Sequence, residues 1–150
     1  DTLVDAFEYK SDVPFFSMVV PTRDTVRYSW LLRNLLHRLK PVFFTGKTGV
    51  GKSVIIRDTL NSTVKDGIDH VTLNFSGGTK ALQTQRSIES KLLKLGRTLL
   101  GAPAQKKLVI FVDDVNMPAV EKYGAQPPVE LLRQLCDLKG FWDRETMGLW

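Results

Sequence analysis

The sequence predicts an α/β fold, a parallel sheet with helices on both faces. Short apolar segments of strand composition alternate along the chain with segments whose apolar residues recur at helical spacing, and such alternation is typical of parallel sheets. A glycine-rich turn and a pair of aspartates each follow directly after one of the apolar segments. Because ligands of such sheets bind at the carboxyl ends of the strands, we expect both motifs to contribute to one binding site.

The bulk composition fits one globular domain. A chain of 150 residues is long enough for one domain of ordinary size but hardly for two. Hydrophobic residues make up 43% and charged residues 25% of it, which argues against a disordered segment. The net charge of +5 is compatible with an anionic ligand, but it does not separate a nucleotide from nucleic acid or from an ordinary solvated surface.

The cysteine content and the hydropathy exclude further classes of protein. Cys136 is the single cysteine, so an internal disulfide and a cysteine-built metal site are excluded. Its position within a helical pattern predicts that it packs in the core. No apolar stretch approaches the length that spans a bilayer, and we expect no membrane partner.

The first forty residues are predicted to form an N-terminal linker and the first helix, and residues 41–150 an αβ core. The linker covers residues 1–17, which mix aromatic and charged side chains without a regular period. After a short extended segment, Thr22 is a suitable N-cap for a helix whose apolar residues keep helical spacing until Pro41 ends the run.

The core is predicted to contain three strands and three helices, with a fourth strand beginning near the end. Strand composition and helical periodicity distinguish the two kinds of segment. The predicted strands are 42–45, 70–75 and 108–112, and the predicted helices are 52–61, 80–95 and 129–138.

The turn GKTGVGKS at 46–53 matches the phosphate-loop pattern G-x-x-x-x-G-K-[ST] in full and stands between a predicted strand and a predicted helix, as that motif requires. Its glycines let the backbone curl so that N–H groups point at phosphate oxygens. Lys52 would reach the β- and γ-phosphates, and the Ser53 hydroxyl would be a ligand of Mg²⁺. We therefore predict a site for ATP or ADP with Mg²⁺, formed by Gly46, Lys47, Thr48, Gly49, Val50, Gly51, Lys52 and Ser53. The alternative is a plain glycine-rich turn with a surface lysine.

The aspartate pair in LVIFVDD follows the apolar segment 108–112. In phosphate-loop enzymes a carboxylate at the end of a neighbouring buried strand holds Mg²⁺, and we assign this role to Asp113. Asp114 would face the γ-phosphate and orient or deprotonate the attacking water, so Asp114 and Lys52 are the predicted catalytic residues. The alternatives are a solvated strand-end carboxylate for Asp113 and a turn cap for Asp114.

With these residues placed, the chain resembles an AAA+ ATPase core, and more closely the third AAA+ module of axonemal dynein heavy chains. The resemblance rests on VVPTRDTVRYSWLL, FFTGKTGVGKS, IFVDDVNMPAVEKYGAQPPVELLRQL and GFWD, and it covers nearly the whole chain from about residue 15. It implies a P-loop NTPase fold with the strand order 5-1-4-3-2. Strands 4 and 5 and the helical lid are missing from this segment, so the predicted fold is incomplete. We expect the 150 residues on their own not to be a well-folded ATPase.

The same resemblance implies a function for the parent protein. That protein would be a microtubule motor of cilia and flagella with six AAA+ modules in a ring, in which the third module regulates force-producing ATP hydrolysis. Its implied partners are the neighbouring modules, microtubules, and the dynein light and intermediate chains; its implied location is the cytoplasm, the cytoskeleton and the axoneme. The segment VVPT resembles the AAA+ segment that contacts adenine, which makes Val20, Pro21 and Thr22 base-pocket candidates. The alternative is that these three residues only pack as part of the linker and cap the following helix.

One departure from the AAA+ pattern leaves open whether this site hydrolyses ATP or only binds it. That pattern has Glu after the metal-binding Asp, whereas this chain has Asp114. The shorter side chain places its carboxylate farther from the attacking water. A catalytic group that is misplaced by about 1 Å can lower the rate by about a hundredfold. Slow hydrolysis is therefore one expectation, and a non-hydrolysing, nucleotide-gated structural switch is the alternative.

A nucleic-acid-handling AAA+ NTPase is a third hypothesis. It is motivated by the basic residues of the first helix, which are Arg23, Arg27, Arg33, Arg38 and Lys40. We nevertheless expect no direct nucleic-acid partner.

Overall fold

Helices form the first of two compact units into which the chain divides, Asp1–Asp66, and a parallel strand pair with two helices forms the second, Gly67–Trp150. The computed structural model describes residues 4, 7, 9, 14, 18–103, 106–144 and 147–149. The linker predicted for residues 1–17 therefore lies almost entirely outside the described residues.

Helix α1, Arg23–His37, begins at the predicted N-cap, Thr22. The Thr22 hydroxyl accepts the Thr25 N–H at 3.2 Å, and the Thr25 hydroxyl accepts the Thr22 N–H at 2.7 Å. This reciprocal pair satisfies two backbone donors that a helix start leaves without intrahelical acceptors. The predicted cap is confirmed, and the helix ends three residues before residue 40.

Replacing Thr22 by alanine should loosen the first turn of α1. A threonine cap stabilises a helix by about 1 kcal/mol, so amide exchange at Thr25 should accelerate by about fivefold. Hydrogen–deuterium exchange measures this directly. Ser29→Ala, within the same helix, is the control and should leave exchange at Thr25 unchanged; equal exchange in the Thr22 variant would contradict the capping role.

Helix α2, Lys52–Thr63, begins where predicted, runs two residues beyond the predicted end, and continues into a 3₁₀ turn, Val64–Asp66. It packs against α1, and Leu32 of α1 and Leu60 of α2 are both buried. The Arg33 guanidinium of α1 donates to the Ser62 hydroxyl of α2 at 2.7 Å. Apolar burial and the hydrogen bond between Arg33 and Ser62 thus both join these two helices.

The prediction of a buried strand at 42–45 is wrong for this structure. Residues 42–45 form no strand, and 76% of the Phe43 side chain is exposed. Phe44 of the run packs on α1, with its ring 6.3 Å from the Tyr28 ring, edge to face. A strand exists through backbone hydrogen bonds to a neighbour, and none of the described strands pairs with this segment.

The described residues of the second unit form four strands and two helices. In chain order they are β1 (Ile68–Asn74), α3 (Ala81–Glu89), β2 (Leu93–Lys94), β3 (Leu100–Gly101), β4 (Lys107–Asp113) and α4 (Pro127–Leu138). Strands β1 and β4 are parallel and run in register from the pair Ile68–Lys107 to the pair Asn74–Asp113. The implied strand order 5-1-4-3-2 makes the second and third strands neighbours, and this pairing is confirmed.

One face of the β1–β4 pair packs against helices α3 and α4. Ile88 of α3, Leu131 of α4 and Phe141 form the buried centre of this core. Leu73 of β1 and Ile110 of β4 pack against it, and the period of two along strands places both on the same face of the sheet. The mixed α/β class with a parallel sheet, as in a truncated P-loop AAA+ domain, is confirmed.

The predicted helix 80–95 is too long. Helix α3 ends at Glu89, and the chain then forms the short antiparallel hairpin β2–β3, with the Leu95 N–H bonded to the Leu99 carbonyl at 2.9 Å. The hairpin directs Leu92 and Leu100 onto the core, a tertiary gain that overrides local helical periodicity. The predicted fourth strand near the end is a single antiparallel bridge between Trp142 and Leu149.

The outer face of α4 is polar and includes Cys136, which is exposed, so its predicted core packing is wrong. Leu131 and Leu135, one turn apart, take the inward positions, and Cys136 lies about 100° farther round the helix. On this face the Arg133 guanidinium donates to Glu130 and Asp137. The hydrogen bond from Arg133 holds the pKa of the Glu130 carboxyl below its ordinary value.

Candidate nucleotide-binding site

Three glycines of the predicted phosphate loop adopt backbone conformations that other residues rarely take. Gly46, Gly49 and Gly51 have φ angles of +149°, +82° and +83°. A Cβ added at Gly49 or Gly51 would meet nothing within 4 Å. The requirement for glycine at these two positions is therefore conformational rather than steric.

The Lys52 side chain folds back over the loop that precedes it. Its ammonium donates to the Gly46 carbonyl at 3.0 Å and to the Lys47 carbonyl at 2.7 Å. An ammonium has three N–H groups, so these two bonds fix its position and leave one donor for an acceptor above the loop. The positive charge is thereby fixed beside the curled backbone.

The N-terminus of α2 differs from that of α1 in having no side chain across it. Gly51 is its N-cap, with a left-handed backbone and no side-chain capping bond, and its first turn has no acidic residue. The first N–H groups of a helix lack intrahelical acceptors and carry partial positive charge. Loop, ammonium and helix start thus form a cradle whose chemistry suits an anionic phosphate.

Asp113 and Asp114 have different backbone environments in the second unit. Asp113 is half-buried as the last residue of β4, and its carbonyl accepts the Phe75 N–H at 3.0 Å, which extends the strand pairing to its end. Asp114 is exposed and left-handed, with φ of +56°. Its carbonyl accepts the Met117 N–H at 2.9 Å and closes a turn. Strand geometry therefore fixes Asp113, and a turn fixes Asp114.

Asn74 is a candidate that the sequence reading missed. It is the last residue of β1 and stands in register with Asp113, and register partners in a parallel pair share a face of the sheet. Asn74 is exposed, so its amide can meet the same ligand environment as the Asp113 carboxylate. The available signal was a polar residue closing the alternating run HVTLN.

Gln126 is a second residue that the sequence reading missed. Its side-chain amide donates to the Pro118 carbonyl at 2.7 Å and to the Asn116 carbonyl at 3.4 Å. These bonds hold the loop that follows the aspartates. No sequence motif reveals them, because these bonds depend on how the eight to ten residues between donor and acceptors fold.

The base-pocket candidates occupy the entry to α1. Val20 is exposed, Pro21 is half-buried, and the Thr22 hydroxyl is engaged in the capping pair. The structure thus supports the helix-cap reading of Thr22, and adenine contact by these residues stays a prediction.

The predicted site residues fall into two groups. Residues 20–22 and the loop 46–53 lie in the first unit, whereas Asp113 and Asp114 lie in the second. That the two groups form one site stays a prediction. Within the described ranges no three His, Cys, Asp or Glu side chains cluster as a metal cage. The predicted ligands, the Ser53 hydroxyl and the Asp113 carboxylate, are of the chemical kinds that Mg²⁺ takes, one or two from the protein beside phosphate oxygens and waters.

Comparison with known proteins gives the family. A family model described as the P-loop containing dynein motor region matches residues 7–150. The chain belongs to this dynein motor family. It is 51% identical over 148 residues to dynein axonemal heavy chain 6 of Homo sapiens, covering 98% of this chain and 4% of that protein. It is 46% identical over 143 residues to dynein axonemal heavy chain 1 of Homo sapiens, covering 95% of this chain and 3% of that protein.

Membership of the dynein motor family accounts for the resemblance seen in the sequence. The chain is an AAA+ segment similar to those of axonemal heavy chains, and it spans about 3 to 4% of the length of these curated relatives. In the parts of the chain that the structure describes, no helix has the length and apolarity needed to cross a membrane.

Proposed function

We propose that this segment is the nucleotide-binding part of the third AAA+ module of an axonemal dynein heavy chain, where it binds Mg-ATP and regulates or contributes to force-producing hydrolysis. The observation that carries the proposal is the loop, with three positive-φ glycines and the Lys52 ammonium held over it. Residues 1–40 are proposed as linker and first helix, and residues 41–150 as part of the αβ core.

In the proposed mechanism, different residues bind the phosphates, hold the metal, activate water and contact the base. Backbone N–H groups of the loop bind the phosphates, and Lys52 binds the β- and γ-phosphate oxygens. Ser53 and Asp113 would hold Mg²⁺, which supplies charge neutralisation at those oxygens when bound. Asp114 orients the attacking water and accepts its proton. Val20, Pro21 and Thr22 are proposed to contact the base.

The proposal predicts binding of nucleotide that depends on the metal. In a full-length motor whose other nucleotide sites are disabled, a fluorescent ATP analogue should bind at this module. Chelation of Mg²⁺ should weaken binding by about tenfold or more, which corresponds to roughly 1.4 kcal/mol. Titration with and without chelator measures this; absence of binding in the presence of Mg²⁺ would contradict the proposal, and a motor with every site disabled supplies the background.

A second candidate function is a nucleotide-gated structural switch that binds ATP without turnover. Two observations favour it over rapid hydrolysis: Asp114 is shorter than the glutamate of the AAA+ pattern, and it is exposed on a turn. An exposed carboxylate is less firmly positioned than a packed one, and catalysis needs firm positioning.

The parent protein is proposed to act with the partners that its family implies. These are the neighbouring AAA+ modules, microtubules, and dynein light and intermediate chains, in the cytoplasm and axoneme of cilia and flagella. The relatives named above are axonemal dyneins, which supports this location. Nucleic-acid handling is less favoured because Arg33, one of the basic residues that motivated it, is bonded to Ser62.

A further inference from the structure

The segment that leads from β4 into the first residues of α4 contains the family-specific string NMPAVEKYGAQPP, for which the nucleotide motifs give no reason. Gln126, near its end, is the N-cap residue of α4, but its side chain makes no capping bond to that helix. Instead the amide donates to the Pro118 and Asn116 carbonyls. A residue in a capping position therefore serves the loop rather than the helix.

The two acceptors of Gln126 lie within and just beyond the turn that begins at Asp114. The Asp114 carbonyl accepts the Met117 N–H at 2.9 Å, so Asn116 lies inside this turn and Pro118 directly follows it. Pro118 is buried, and the next residue, Ala119, donates its N–H to the Gly77 carbonyl at 3.3 Å. The turn is thus held on one side by Gln126 and on the other by the loop after β1.

This support matters because Asp114 has an unfavourable backbone conformation. Its φ of +56° lies in the left-handed region, which aspartate adopts more readily than most residues other than glycine but still less readily than ordinary helical or extended backbone. The direction of the Asp114 carboxylate depends on that backbone. A change that disorders this turn would therefore also disorder the Asp114 carboxylate.

We propose that Gln126 is a positioning residue for Asp114, acting through the Asn116 and Pro118 carbonyls. The inference rests on the proposed function of Asp114 toward the attacking water. In this scheme Gln126 takes no part in the reaction itself; its amide sets the turn from which Asp114 projects. A purely structural role would instead stabilise α4 and the loop without a specific effect on turnover.

The test compares variants at one position in a full-length motor whose other hydrolytic sites are disabled. Gln126→Met keeps the length of the side chain and removes both donors, whereas Gln126→Lys keeps a donor. Gln134→Met is the matched control, because Gln134 lies on the same helix and makes no side-chain hydrogen bond to the described residues. Three quantities are measured: amide exchange over residues 114–118, the Kd of a fluorescent Mg-ATP analogue, and the turnover number.

Gln126→Met should accelerate exchange over 114–118 by about tenfold, as expected for the loss of two hydrogen bonds. It should lower turnover by about tenfold and leave Kd within about twofold, since the phosphate loop is untouched. Gln126→Lys should recover much of both losses, and the control should match the unmodified motor.

Two results would overturn the positioning role. One is unchanged exchange over 114–118 in Gln126→Met; the other is a loss of binding that matches the loss of turnover, which indicates general damage. Absence of turnover in the unmodified motor would contradict the catalytic role of Asp114 instead, and the exchange measurement would still decide whether Gln126 holds the turn.

Discussion

Replacing Lys52 by alanine is expected to weaken Mg-ATP binding at this module by about a hundredfold. The ammonium is held over the loop by the Gly46 and Lys47 carbonyls, and its charge-assisted bonds to phosphate are worth about 1.5–3 kcal/mol each. Loss of roughly 3 kcal/mol corresponds to a hundredfold change in Kd. Titration of a motor with its other sites disabled measures the change.

Lys65→Ala is the control for charge. Lys65 is exposed on the 3₁₀ turn Val64–Asp66 and lies outside the predicted site, so its loss should change Kd by less than about twofold. An equal effect of the two substitutions would mean that net charge, and not the cradle, governs binding. An unchanged Kd in Lys52→Ala would contradict the phosphate-loop assignment itself.

Asp114→Asn should lower turnover at this site by about a hundredfold or more if Asp114 is the general base, since such groups contribute about 10² to 10⁴ in rate. The substitution is a clean test because asparagine, like aspartate, tolerates the left-handed region that Asp114 occupies. Single-site turnover in a motor with the other sites disabled is the measurement. Unchanged turnover would favour the structural switch.

Asp114→Glu tests the effect of side-chain length. If the missing methylene limits the rate, glutamate should raise turnover, although by less than the roughly hundredfold that an ångström can be worth. Part of the gain is lost because glutamate accepts a φ of +56° less readily than aspartate, a penalty of about 1 kcal/mol. A fall in turnover would show that the existing geometry already suits aspartate.

The features that depend on local chemistry were predictable from the sequence. Thr22 starts α1 because a hydroxyl at that position can accept an N–H three residues on, whatever the rest of the fold does. The loop 46–53 follows from glycine conformational freedom and a lysine at fixed spacing. The parallel pair β1–β4 follows from two apolar runs joined by a helical segment.

The features that depend on distant partners were not predictable. Residues 42–45 have strand composition, but a strand needs a neighbouring backbone, which composition does not supply. The helical period of 80–95 breaks at Glu89 because packing of Leu92 and Leu100 favours a hairpin. The roles of Asn74 and Gln126 arise from register and from a contact across a loop, and neither appears in a window of neighbouring residues.

The fixed position of Lys52 also bears on the entropy of association. A free lysine side chain loses about 1.5–2 kcal/mol of rotamer freedom when it is immobilised, and a ligand that must order it loses that much affinity. Here the Gly46 and Lys47 carbonyls already restrict the ammonium. Most of this side-chain entropy is therefore lost when the protein folds and not when the ligand binds. We therefore expect a phosphate ligand to meet a preorganised cation, with correspondingly little unfavourable binding entropy from this side chain.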